Sequence, residues 1–173
     1  FAVPGVALGA GGFVLWRRLV PHTNTGLTFQ EGTVVVVLSW ATAIVAGATP
    51  FMLGLGLTFT QAVFEATSGW TTTGLSVVDV SQAPMIYLFY RSLIQYAGGA
   101  GLAIITLSAL VGPSGAGVSS AEGRGEQLAP HVRRSAKLVL AIYVGSLAAA
   151  MPLLRAAGMD WFDAINHAMA ALS

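Results

Sequence analysis

Residues Phe64–Val80 read FEATSGWTTTGLSVVDV, and the reading of the whole chain turns on them. Three threonines and a glycine follow an apolar segment, Thr58–Trp70, whose 13 residues as a helix would rise only about 20 Å. The hydrocarbon core of a bilayer is about 30 Å thick, so such a segment enters and turns back. The irregular backbone expected at Thr71-Thr72-Thr73-Gly74 is tolerated at membrane depth only where protein surrounds it or it lines a wet cavity, because bare N–H and C=O groups in lipid cost several kcal/mol each. The pattern predicts a re-entrant pore helix followed by an ion filter. Taken alone, TTTG also fits a hydroxyl-rich bend between two helices, with its side chains tied to backbone.

Composition sets the class. The chain is 55% hydrophobic and 9% charged, with a mean hydropathy of +0.74, whereas a soluble domain carries about 25% charged residues. An all-α polytopic membrane protein is predicted, built of repeated units of helix, re-entrant pore helix and helix around a pore. A net charge of +1 provides no field for nucleic acid, and the absence of cysteine excludes disulfides, thiolate metal sites and cysteine catalysis. No Ser/His/Asp or paired-carboxylate arrangement emerges. Asp160 and Asp163 fit helix capping better than acid chemistry, so no enzyme is expected. A membrane enzyme or a non-conducting scaffold is the competing class.

Four apolar spans follow one another: Phe1–Trp16, Thr33–Leu57, Met85–Val111 and Ala136–Ala157. The first is shorter than the roughly 20 residues a crossing needs, starts without a methionine, and has Arg17-Arg18 after it rather than before it. It reads as the tail of a transmembrane helix in a longer polypeptide. The expected organisation is then an N-terminal helix end with a cytoplasmic loop over residues 1–31 and a first pore unit over 32–111. That unit contains a helix at 33–57, a pore helix at 58–70, a filter at 71–76 and a helix at 85–111. A glycine- and serine-rich cytoplasmic loop is expected at 112–135. The start of a second pore unit fills 136–173, with a helix at 136–157 and a pore helix at 160–172.

Basic residues fix the orientation, since short cytoplasmic loops carry an excess of lysine and arginine. Arg17 and Arg18 lie in one loop and Arg124, Arg133, Arg134 and Lys137 in another. Both loops fall on the same side only if Thr58–Gly74 turns back. Sliding the chain on itself by 102 residues (152 − 50) sets Pro50 on Pro152, Ala62 on Ala164 and Ala66 on Ala168. The same shift sets Thr58 on Asp160 and Gln61 on Asp163, in each case a capping side chain followed three residues later by one placed to reach back. Each repeat reads as a helix, a proline-marked exit and a capped short helix. Ser173 falls on Thr71, where a second filter would begin.

Backbone carbonyls replace the hydration shell of K⁺ in filters of this kind, and a glycine at position 74 permits the positive φ that turns carbonyls inward. The C-terminal end of the pore helix adds partial negative charge that favours a cation. Arg91, about six residues into the third span, is a functional candidate by virtue of its depth. Two readings stand beside each other: a partner for Glu65 that braces the filter, and a side chain snorkelling to the outer headgroups. Glu65 alternatively attracts cations. Gly98, Gly99 and Gly101 allow close helix packing or form a hinge. His167, the counterpart of Glu65, reads as a packed core histidine.

FEATSGWTTTGLSV, RSLIQYAGGAGLAIITLSAL, LAPHVRRSAKLVLAIY and MDWFDAINHAMAALS together resemble the Trk/Ktr/HKT potassium transporter superfamily, and within it the bacterial Trk-type branch, over nearly the whole chain. The resemblance implies four pore units around one pathway for K⁺ uptake. The carbonyls of Thr72, Thr73, Gly74 and Leu75 would then hold K⁺, with Thr71, Glu65 and Arg91 in support. A glycine at the filter goes with K⁺ selectivity in that superfamily, and a serine with Na⁺ transport in some members. A Na⁺-permeable or channel-like member is the runner-up. The resemblance also implies a homodimer in the lipid bilayer of the bacterial inner membrane, and a cytoplasmic nucleotide-binding regulatory subunit.

Overall fold

Long apolar runs with few breakers favour helices. The computed structural model, which describes residues 9–14, 17–18, 29–111 and 128–173, contains no strand among them. Five helices follow one another in the described residues: α1, Phe29–Leu55; α2, Phe59–Trp70; α3, Met85–Val111; α4, Leu128–Ala156; and α5, Trp161–Ala171. Residues 9–14 and 17–18 are also helical. The chain divides into two units, Phe1–Thr67 and Ser68–Ser173.

In the first unit, α1 turns its large residues outward. Val34, Val35, Val37, Leu38 and Val45 are all at least half exposed, a surface that water would penalise at roughly 25 cal/mol per Å² and that lipid accommodates. Ala48, Phe51, Ala62 and Ala66 are buried. The unit's second helix opens with a reciprocal cap. The Thr58 amide donates to Gln61 Oε1 at 3.1 Å and the Gln61 amide donates to Thr58 Oγ1 at 3.4 Å, so two otherwise orphaned donors are satisfied.

The second unit is three helices, α3, α4 and α5, each packed on the other two. Its core is Ile94, Ala100, Val139, Ala164, Ala168 and Met169, and Tyr96 of α3 meets Tyr143 of α4 with ring centroids 5.3 Å apart. Leu138, Leu140, Ile142, Val144 and Leu153 face outward. Gly32–Leu55 and Ala136–Ala156 are long and apolar enough to cross a bilayer. Helix α3 has 27 residues, enough in length to cross as well, and it carries Arg91, Gln95 and the glycines at 98, 99 and 101.

Two boundaries differ from the sequence reading. Helix α4 starts at Leu128, inside the stretch 112–135 expected to be loop; Pro130 is its third residue, and a proline in a helix's first turn removes an N–H that had no acceptor anyway. Residues 112–127, with Arg124, lie outside the described residues, as do the side chains of Arg133 and Arg134. Pro50 and Pro152 do not mark helix exits: both lie inside helices. The breaks fall instead at Gly56 (φ 65°) and Gly158 (φ 104°), left-handed positions natural to glycine.

Candidate functional site

A helix of 12 residues leaves its last carbonyls free, and in α2 they organise the turn that follows. The Ser68 carbonyl accepts from the amides of Thr73 (3.0 Å) and Gly74 (3.4 Å), and the Gly69 carbonyl accepts from Thr72 (3.0 Å). The Ser68 hydroxyl donates to the Leu75 carbonyl at 2.6 Å. Ser68 therefore binds the segment from both ends, and it is itself buried. The hydroxyls of Thr71 and Thr73 bond to one another at 2.8 Å.

The backbone of this segment is unusual at two positions. Gly74 has φ 79°, and the nearest heavy atom to a Cβ built on it is 4.0 Å away, so conformation rather than crowding calls for glycine. Thr72 has φ 57°, a left-handed conformation that is an outlier for a β-branched residue and costs on the order of 1–3 kcal/mol. Such strain persists only where the surroundings over-determine it, and the Ser68 bonds supply that constraint.

Helix α3 forms the wall behind the segment. Arg91, Ile94, Gln95 and Gly98 recur at spacings of three and four and so share one helix face. The Arg91 guanidinium donates through Nη2 to the carbonyls of Gly74 (2.6 Å) and Leu75 (3.1 Å). Gln95 lies with its Nε2 4.0 Å from the Cβ position of Gly74 and donates to Ser173 Oγ at 3.0 Å. A Cβ on Gly98 would overlap the Trp70 carbonyl, and one on Gly69 would sit 2.6 Å from Ile94 Cδ1. Glycine at both positions lets α2's end lie directly on α3. Close packing, rather than a hinge, is what Gly98 and Gly99 do here.

The carbonyl oxygens fall into two classes. Those of Gly74 and Leu75 carry a guanidinium, whereas no donor among the described residues reaches those of Thr72 and Thr73. No cluster of acidic or histidine side chains among the described residues can hold a metal ion, so any cation here meets backbone oxygen and threonine hydroxyls. Glu65 is fully buried on α2, three residues before Ser68. Past the segment, Asp79 accepts from the Ser81 hydroxyl (2.6 Å) and amide (3.0 Å), which hold its carboxyl below the usual 3.8.

Ser68 and Gln95 escaped the sequence reading. Gln95 carried a signal, being a polar residue one turn from Arg91 in an apolar span. Ser68 carried none, as serine in a short helix has many uses. His167 is exposed rather than packed in a core, with Nδ1 2.9 Å from the Asp163 carbonyl.

A family model described as TrkH, cation transport protein, matches residues 10–173. The Trk system potassium uptake protein TrkH of Escherichia coli is 35% identical across 97% of this chain and 36% of its own length. An uncharacterized cation transporter of Methanocaldococcus jannaschii is 33% identical over 100% of this chain and 37% of itself. The crystal structure of the potassium transporter TrkH from Vibrio parahaemolyticus superposes with a TM-score of 0.80 at 30% identity, covering 97% of this chain and 34% of that one. The chain thus spans about a third of the length of the relatives it matches. Its helices, its membrane-compatible surface and these likenesses agree: the chain belongs to the TrkH family of cation transport proteins.

Proposed function

We propose that the chain contributes to K⁺ uptake across the bacterial inner membrane, and that Thr71–Leu75 is one part of the selectivity filter. The observation that carries this reading is the left-handed backbone at Thr72 and Gly74, which follows a helix too short to cross a bilayer and leaves two adjacent carbonyls that no donor among the described residues reaches. The carbonyls of Thr72 and Thr73 are the principal K⁺ ligands. Those of Gly74 and Leu75 contribute through their remaining lone pairs but more weakly, because the guanidinium beside them opposes a cation. Thr71 supports the loop through its hydroxyl, Arg91 positions the carbonyls, and Glu65 helps to compensate the positive charge around the filter.

The potassium uptake and potassium transporter names of its relatives support K⁺ as the transported ion. Basic residues in 17–18 and 124–137 favour a cytoplasmic placement of both loops, with the filter open to the outside near Asp79. A homodimer, with a nucleotide-binding regulatory subunit on the cytoplasmic face, completes the reading.

The test is ion uptake by the protein at its native length, in cells lacking their own potassium transport, with Gly74 intact and with Gly74→Ser. A side chain forced into a left-handed position costs about 1–2 kcal/mol, so discrimination of K⁺ over Na⁺ should fall roughly tenfold. Unchanged uptake and discrimination would return the segment to a structural bend.

A further inference from the structure

We propose that Gln95 is a specificity-determining positioning residue: it ties the first filter to the end of the second short helix, and α3 serves as the common seat of both. The proposal rests on the reading of Thr71–Leu75 as a filter and extends it to a residue outside that segment.

Gln95 is only 8% exposed, and a buried amide in the middle of an apolar helix is retained only if its bonds are made. Its Nε2 donates to Ser173 Oγ at 3.0 Å, across 78 residues of sequence. Ser173 in turn donates its own hydroxyl proton to the Ala170 carbonyl at 2.8 Å. A hydroxyl has one proton, so Ser173 can face Gln95 only as an acceptor, and the chain of bonds from Gln95 to Ser173 to Ala170 runs in one direction. The same Nε2 lies 4.0 Å from the Cβ position of Gly74. One side-chain nitrogen therefore stands beside the filter glycine and holds the end of α5.

The glycines one turn further along α3 repeat the arrangement. Gly98 admits the Trp70 carbonyl at the end of α2, as above. A Cβ on Gly99 would lie 3.0 Å from Ser173 Cα, 3.1 Å from its carbonyl carbon and 3.3 Å from the Tyr143 hydroxyl. Adjacent residues of one helix thus seat the ends of both short helices, and Gln95 stands between them, bonded to Ser173 on one side and lying against Gly74 on the other. Ion discrimination by carbonyls, whether through cavity size or dipole number, requires neighbouring parts of the filter to keep a fixed register. Gln95 is placed to hold that register without touching the ion.

The experiment is a double-mutant cycle in the protein at its native length, with Gln95→Met, which keeps side-chain length but removes the donor, and Ser173→Ala, which removes the acceptor. Membrane levels are measured alongside K⁺ uptake, half-saturating K⁺ and competition by Na⁺. Each single variant should lower discrimination roughly three- to tenfold, the worth of one hydrogen bond. The double variant should be no worse than the worse single, and Ser173→Thr, which keeps the hydroxyl, should retain discrimination. Singles that leave discrimination unchanged at normal membrane levels, or that add independently, overturn the proposal. If Gln95→Met fails to reach the membrane, Ser173→Ala decides alone, and unchanged discrimination in it overturns the proposal. A silent Gly74→Ser removes both this inference and the filter reading; an effective Gly74→Ser with silent Gln95 and Ser173 variants removes this one only.

Discussion

Helices α2 and α5 each follow a long helix that carries an internal proline and stops at a left-handed glycine, Gly56 before one and Gly158 before the other, 102 residues apart (158 − 56). Each also buries two alanines completely, Ala62 and Ala66 in α2, Ala164 and Ala168 in α5, at that same offset. The polar side chains diverge. Thr58 and Gln61 cap α2 in both directions, whereas Asp160 caps α5 in one, accepting from Phe162 at 3.3 Å. Glu65 is fully buried and its counterpart His167 is exposed. The features held in common are those that set backbone path and approach distance, namely a turn glycine and small residues on the inner face. The features that differ decide charge and capping. A frame built from glycine and alanine leaves the polar chemistry of each short helix free to specialise.

The strongest way to break the comparison is at the seats on α3. Gly98→Ala drives a Cβ into the Trp70 carbonyl, a backbone atom that cannot swing aside. Overpacking of this kind costs typically 1–3 kcal/mol or more, and a large loss of membrane-inserted protein and of thermal stability is expected. Gly99→Ala meets Ser173 at 3.0 Å, tight but not overlapping, so detergent-solubilised melting should show a clearly smaller loss. Equal losses would mean that the two short helices are seated alike. A finer test lies in the caps. Thr58→Ala removes a hydroxyl that accepts from the Gln61 amide and donates to Gln61 Oε1, and should cost about 1 kcal/mol, within the 0.5–2 range for N-caps; Asp160→Ala should cost less, and hydrogen exchange at the first turns of α2 and α5 would show the order. The smallest effect is expected at Gly101, where a Cβ meets nothing within 4 Å. Gly101→Ala should be neutral or raise stability by up to about 1 kcal/mol through helix propensity, and a loss in the same melting assay would show that this turn of α3 does more than complete the helix.

Much of this was legible because it rests on rules that a single sequence obeys. A glycine after three threonines at membrane depth points to a left-handed turn, and Gly74 has one. Thr72 in the same conformation was not legible, since β-branching argues against it and only the two bonds to the Ser68 carbonyl and the bond from its hydroxyl explain its persistence. Proline misled twice, at Pro50 and Pro152, because a breaker in water is tolerated within a membrane helix. The start of α4 at Leu128 was hidden because the glycine- and serine-rich run before it was extended through to residue 135. Arg91 was identified by its depth, but its acceptors were not. Two main-chain carbonyls leave no trace in residue type, so a sequence offers only charged side chains as candidates.

Gly98 and Gly99 are consecutive, and consecutive residues of an α-helix project about 100° apart around its axis. The ends of α2 and α5 must therefore reach α3 along azimuths separated by close to a right angle. A pair of adjacent glycines thus acts as a small square rule, fixing the corner between the two short helices with the pitch of the helix itself. Inserting one residue between them would double that angle to about 200° and turn one seat away from the short helix it now receives.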